Sequence, residues 1–353
     1  MSWTQISHTR WETPLSGMED YFAFTGNIPR TVGDERYQFV ITSRFKVDID
    51  LPNVETALKQ AWIKLRFEHP QIAATTRRWK ETADADELLQ TVTSIRQTTL
   101  YYVPRSDELV LRCHHHISDG IGSLQPTMLT PEQAEQGAAR LMAYLNKLPA
   151  IGPVCKVGKV PPGQPKTMDA TFSSELTAAV HAAYAQILQK YPNPELELSW
   201  YTAITAHNMR WYLAQNPDQP VVSLYYACQF VSIPLPASYS KLAQTLNHHY
   251  ETTVNDEALK VHDAFTRTLS AVVRTPEYQN TPIPADATTS SLGIVEKYLQ
   301  REYGSTVKVN DFRMGCEIIL GMTTLHFWTF RNQMHLAYSS MMRMRSQPML
   351  GLT

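Results

Sequence analysis

The spacing of apolar side chains changes period several times along the chain, and each change marks an element. Tyr37 to Val47 (YQFVITSRFKV) is rich in β-branched and aromatic residues and alternates partly, which predicts a half-buried strand. From Pro52 to Arg66 the period lengthens. There Val54, Leu58, Ala61, Trp62 and Leu65 recur at spacings of three and four, the apolar stripe of a helix that leaves Lys59 and Lys64 to solvent. His69-Pro70 then discourages further helix. Two short strand-like runs, TLYYV and ELVLRC, lie within Thr99 to Cys113, parted by Pro104-Arg105-Ser106-Asp107, a hairpin turn signal.

Thr130-Pro131-Glu132-Gln133 has the form of a capped helix start, and the helix it opens is expected to run to about Leu148. Residues 149–166 (PAIGPVCKVGKVPPGQPK) hold five prolines, three glycines and three lysines in eighteen positions, which excludes helix and central strand and predicts a crossover. Beyond it, Ser173 to Lys190 is an alanine-rich helical stretch and Pro220 to Ile233 (PVVSLYYACQFVSI) a strand. Leu292, Val295, Tyr298 and Leu299 predict a helix over Ser290 to Tyr303, stopped by Gly304. Thr306 to Asn310, Thr323 to Phe330 and His335 to Ser339 follow as strands, the last two joined by a turn around Arg331-Asn332-Gln333.

The outcome is an α/β chain in two similar halves. An amino-terminal domain is expected at residues 1–148, a crossover linker at 149–170 and a carboxy-terminal domain at 171–353. A length of 353 residues agrees with two domains, and 43% hydrophobic residues suffice to bury a core. Lys plus Arg is 32 against 33 Asp plus Glu, so the basic footprint of a nucleic-acid or polybasic membrane protein is missing. Neither partner is expected. Cysteines stand at 113, 155, 228 and 316 without a CxxC pair, which argues against a disulfide framework or zinc ribbon and predicts a reduced, cytoplasmic protein. No apolar h-region or run of eighteen apolar residues is present.

His114-His115-His116-Ile117-Ser118-Asp119-Gly120 follows a predicted strand and carries the most specific chemistry in the chain. Imidazole, with an ordinary pKa of about 6.5, is neutral yet basic near physiological pH, so one nitrogen can accept a proton while the other is tied down. Four readings compete: a structural histidine cluster, a metal site, a covalent nucleophile at Ser118 or Cys113, and a general base. A hydrolytic zinc HxHxDH pattern would need Asp at 118 and His at 119, where Ser118 and Asp119 stand. Neither Ser118 nor Cys113 sits in a GxSxG elbow. Asp119 with Gly120 behind it suits a sharp turn in which the carboxylate orients the imidazole or braces the loop through a cation.

The pattern HHxxxDG, with His114, His115, Asp119 and Gly120 in its defining places, resembles the active-site motif of the chloramphenicol-acetyltransferase-like superfamily. That superfamily includes nonribosomal peptide condensation domains and the BAHD acyltransferases. Asp311-Phe312-Arg313-Met314-Gly315 is similar to the BAHD motif DFGWG, keeping Asp, Phe and the final Gly but placing Arg313-Met314 where the family has Gly-Trp. Arg66-Phe67-Glu68-His69-Pro70 is similar to the arginine-containing segment after the first helix of condensation domains. The carboxy-terminal run SSLGIVEKYLQREYG…VNDFRMG…LHFWTFRNQMHLAYS looks most like fungal condensation-like O-acetyltransferases of secondary metabolism, such as the trichothecene 15-O-acetyltransferase group.

The resemblance implies two domains with mixed sheets flanked by helices and an active-site tunnel at their interface. It further implies His115 as the base and Asp119 in an ion pair that shapes the loop, with Arg66 its expected partner. His114 would pack beside the base and His116 would face the scaffold, while Asp311, Phe312 and Gly315 would hold the domain interface near a CoA channel. The expected enzyme is a monomeric acyl-CoA:alcohol O-acyltransferase without bound cofactor or metal, taking acetyl-CoA or another acyl-CoA and a small hydroxylated acceptor. Its rivals are a carrier-protein-dependent condensation-like synthase and a catalytically silent binding protein of the same fold.

Overall fold

The computed structural model describes residues 4–8, 10–12, 15–26, 39–68, 75–78, 82–92, 94–118, 174–192, 199–208, 226–253, 256–279, 287–317 and 323–340. The predicted helix from Thr130, the crossover at 149–170 and the residues Asp119 and Gly120 lie outside them.

Strands β1 (Thr4–Ser7) and β2 (Arg10–Glu12) form a small antiparallel ribbon. Helix α1 (Gly17–Thr25) follows, opened by a capping box in which Ser16 and Glu19 satisfy each other's backbone N–H. The half-buried strand read from Tyr37 is β3 (Val40–Ile49), and the helix of the apolar stripe is α2 (Val54–Glu68). Next come β4 (Thr75–Arg78), α3 (Ala85–Thr91), and the hairpin of β5 (Thr99–Val103) and β6 (Glu108–His114). The hairpin turn places Asp107 at φ 53°, a left-handed position that Asp tolerates better than most residues. In the second half stand α4 (Ser174–Lys190), β7 (Trp200–Asn208), β8 (Tyr226–Pro234), α5 (Tyr239–Thr253), α6 (Asp256–Val272) and α7 (Pro276–Gln279). The chain closes with β9 (Ala287–Ile294), β10 (Glu302–Tyr303), β11 (Val307–Glu317), β12 (Thr323–Phe330) and β13 (Gln333–Ser340).

One prediction fails here. Ser290 to Tyr303 is not a helix: β9 runs to Ile294 and only a single 3-10 turn, Val295–Lys297, follows. The three-and-four spacing of Leu292, Val295 and Leu299 arises because strand and turn both face one core. Two-sided parallel pairing of β9 with β7 and β12 overrides the weak local preference. Gly304, expected as a helix stop, instead takes φ 60° in the tight turn between β10 and β11.

The strands make two mixed sheets, of order β10-β11-β3-β6-β5-β4 and β13-β12-β9-β7-β8. Helix α3 sets Ala85 and Leu88 on Tyr101, Val103 and Val110 of the first sheet, whereas α4 and α5 cover Tyr201, Ala203, Val231 and Ile233 of the second. Strand β11, which contains Asp311–Gly315, comes from the carboxy-terminal half but pairs along β3, from Val307 opposite Ile49 to Glu317 opposite Val40. The sheets therefore do not follow the sequence halves. Where they face each other, Ile41, Val47, Val309, Phe312 and Met314 share a core with Leu292, Val295, Trp328 and Phe330.

Candidate active site

Sheet register assembles the histidine turn. His114 is the last paired residue of β6, opposite Val40, and the His115 N–H extends the ladder by one bond to the Phe39 carbonyl at 2.8 Å. The chain then turns, with the Ile117 N–H on the His114 carbonyl at 2.9 Å. Alternation at the strand end sends His115 to one side and its neighbours to the other. His114 and His116 accordingly stack, with centroids 5.3 Å apart. The His114 Nε2 lies 3.1 Å from the Ile95 carbonyl and so carries the proton it donates there. Burial, with the charges of His114 and His115 adding to it, pushes His116 down to about 4, so this imidazole is neutral at physiological pH.

His115 enters a different environment. Its ring lies 4.3 Å from Phe22 of α1 at an interplanar angle of 21°, and 4.5 Å from Phe39 at 24°. Tyr226, the first residue of β8 in the other sheet, meets it edge to face at 5.8 Å. The base candidate thus stands between the two sheets, its Nδ1 shielded while the residue as a whole stays partly exposed. Behind it on β12, His326 is 2% exposed, with Nε2 lying 3.4 Å from the Cys316 Sγ and Nδ1 without a partner among the described residues. Burial first, and the nearby charge of His115 second, push His326 down to about 3. The imidazoles of His116 and His326 are therefore both neutral at physiological pH.

Covalent readings fare poorly in this geometry. Cys113 is buried against the Thr98 hydroxyl at 3.2 Å, and burial raises its thiol to about 11 despite that contact. Cys316 rises to about 12 from burial and the adjoining Glu317 charge. A nucleophile needs the opposite shift. Among the described residues no cluster of three His, Cys, Asp or Glu side chains has the geometry of a metal site.

The other sequence-derived residues are distributed as follows. Arg66 stands in the last turn of α2, and its expected partner Asp119 is outside the described residues. An ion pair that the sequence did not signal, Arg112 with Glu317, joins β6 to β11 near the histidine turn, and the Arg112 side chain is only 3% exposed. Asp311 accepts from the Phe312 N–H at 2.9 Å and from Arg313 at 3.1 Å, at a bulge in the β11–β3 register. It pairs with Lys46, six residues along β3 from Val40, roughly 20 Å from the histidine turn at strand rise. Phe312 is buried against Phe45 and Trp328, and a Cβ placed on Gly315 would stand 3.8 Å from the Ser339 Oγ of β13. The motif therefore runs along the seam between the sheets, with Asp311 far from the histidine turn and Gly315, opposite Thr42, two strand positions from Val40. Phe22, Tyr226, Cys316 and His326 carry no local sequence signal, because each reaches the site from a separate element.

The fold as a whole, with two mixed sheets of which one is completed by β10 and β11 from the other half of the chain, is similar to solved structures of an O-acetyltransferase and of a condensation domain. The solved structure of TRI3 trichothecene 15-O-acetyltransferase from Fusarium sporotrichioides matches with a TM-score of 0.64 and 11% identity, over 95% of this chain and 92% of that one. The starter condensation domain of rhizomide synthetase RzmA, in a complex with C8-CoA and Leu-SNAC, matches with a TM-score of 0.60 and 10% identity, over 93% and 88%. In sequence, the chain is 22% identical over 424 aligned residues to acetyltransferase pigO of Monascus ruber, covering 95% of this chain and 92% of the relative. Azaphilone biosynthesis cluster protein M of Aspergillus terreus is 30% identical over 172 residues, which is 46% of this chain and 40% of that protein. No protein-family model matches.

Proposed function

We propose that the chain is an acyl-CoA-dependent O-acyltransferase, most simply an acetyltransferase, acting on a hydroxyl of a small apolar secondary metabolite. The observation that carries this reading is the partly exposed His115 imidazole, held between the two sheets with the imidazoles of His116 and His326 beside it neutral. In the proposed reaction the His115 ring takes the acceptor's hydroxyl proton as the oxygen attacks the thioester carbonyl. Collapse of the tetrahedral intermediate breaks the carbon–sulfur bond, and the imidazolium returns the proton to the departing thiolate. A positioned base of this kind contributes roughly 10²–10⁴-fold, and holding both substrates in one inter-sheet tunnel adds orientation.

On this reading Asp119 braces the loop, with Arg66 as its partner and Gly120 permitting the turn, while Asp311, Phe312 and Gly315 keep the sheets in register near the CoA path. The acetyltransferase names among the similar proteins support the reaction class, and a terpenoid or phenolic acceptor suits the aromatic surroundings of His115. The protein is proposed to act as a cytoplasmic monomer. No helix among the described residues is long and apolar enough to cross a membrane.

His115→Ala, assayed for thiol release from acetyl-CoA with a panel of hydroxylated terpenoids and phenols, is expected to lose roughly 10²–10⁴-fold in turnover. Activity near that of the wild type would remove the base. Calorimetric binding of free acetyl-CoA separates this enzyme from a carrier-protein-dependent synthase.

A further inference from the structure

We infer that Phe22 and Phe39 are positioning residues for His115, a one-sided aromatic backing that fixes the plane of the imidazole. This rests on the proposed role of His115 as the base. Both phenyl rings are nearly parallel to the imidazole, at 21° and 24°, with centroids 4.3 and 4.5 Å away. Had they stacked on opposite faces, two stacking gaps of about 3.5 Å each would set them about 7 Å or more apart. Their centroids are separated by 5.2 Å, so both lie against the same face, each offset from the ring centre. A proton moves along a nitrogen lone pair in the plane of the ring. Offset stacking from one side therefore restrains tilt without occupying the path of the proton.

Phe22 is the ring on which the others converge. Besides His115 it meets Phe39 at 5.2 Å, Tyr226 at 5.9 Å and Tyr21 at 5.1 Å. It is 7% exposed and belongs to a small core, with Met18, that is separate from the cores under either sheet. The helix that carries it is held from the second half of the chain. Asp20, two residues before Phe22, accepts from the Ser270 hydroxyl at 2.5 Å and from Arg274 at 2.9 Å, and the Arg274 guanidinium lies over Phe24 at 4.5 Å. Docking of α1 on α6 thus sets where the backing ring stands, and with it the attitude of the base.

The test compares Phe22→Leu, of similar bulk but without a flat face, with Phe22→Tyr, which keeps the ring. Phe22→Leu is expected to lower kcat roughly five- to tenfold with KM for acyl-CoA unchanged, and Phe22→Tyr to restore at least half of it. Arg274→Gln, made at a half-exposed latch away from the core, is expected to lower kcat two- to fivefold in a fully folded protein. Imidazole 15N resonances of His115, assigned with His115→Gln, give a readout independent of turnover: one sharp set in the wild type and Phe22→Tyr, broadened in Phe22→Leu and Arg274→Gln. Wild-type kcat and an unchanged His115 spectrum in Phe22→Leu and Arg274→Gln, while His115→Ala is inactive, would overturn the inference alone. An active His115→Ala would instead overturn the base on which it rests.

Discussion

Phe312 of β11 and Trp328 of β12 meet edge to face with centroids 5.8 Å apart, and this pair joins the two sheets. Trp328 is 2% exposed and its other neighbour, His335 of β13, stacks almost parallel at 4°. Trp328→Ala empties the middle of the shared core and is expected to destabilise the protein by about 3–5 kcal/mol, measured by chemical denaturation. A loss below about 1 kcal/mol would show that the sheets do not rely on this seam.

The Arg44, Asp86 and Glu108 cluster gives a pH prediction. Arg44 has a side chain 9% exposed and pairs with Asp86 at 2.5 Å and Glu108 at 3.0 Å, while Glu108 also accepts from Ala85 N–H and the Ser106 hydroxyl. Burial alone would raise Glu108, but Ser106, Ala85 and Arg44 together bring it below its ordinary 4.5. A depressed carboxylate contributes stability above its unfolded value that is lost as pH falls through the folded value. Denaturation midpoints should therefore drop as pH is lowered below about 4.5, and Glu108→Gln should flatten that limb. At neutral pH the same substitution leaves Arg44 half paired and is expected to cost about 3 kcal/mol. An acid limb identical in the two proteins would refute the assignment.

Thiol accessibility follows from burial. With Cys113 raised to about 11 and Cys316 to about 12, neither forms thiolate at pH 8 in the folded protein. Peptide mass spectrometry after iodoacetamide treatment should find both unmodified unless denaturant is added. Rapid native labelling of Cys113 would revive it as a nucleophile.

Gly293 takes φ 70° at the register shift where β9 meets β12, and a Cβ there would meet nothing within 4 Å. The penalty of Gly293→Ala is therefore conformational, about 1–2 kcal/mol for a left-handed non-glycine residue. An equilibrium unfolding curve that coincides with the wild type would contradict it.

Local pattern carried much of the architecture. The strand within Tyr37–Val47, the turn at Pro104–Asp107 and the helix of α2 each depend on neighbours a few residues away. Among the described residues the strand forms from Val40, the turn where expected and the helix over Val54–Glu68, with Ala61 of the expected stripe exposed. The turn expected around Arg331-Asn332-Gln333 forms with Arg331 and Asn332 both at positive φ and Gln333 already in β13. Long-range pairing was illegible. Nothing in Ala287–Ile294 announces parallel neighbours on both sides, so its spacing passed for a helix. The same limit applies to the site. HHxxxDG marks the turn, but Phe22, Tyr226 and His326 reach it only through tertiary contacts that no window of sequence contains.

The placement of β11 also bears on how the protein is made. During translation β3 emerges early, yet one of its flanks has no strand to cover it until residues up to Glu317 have left the ribosome. Until then the nascent polypeptide carries a ten-residue open border able to recruit other chains. Separately expressed halves are consequently expected to be soluble only when they are produced together.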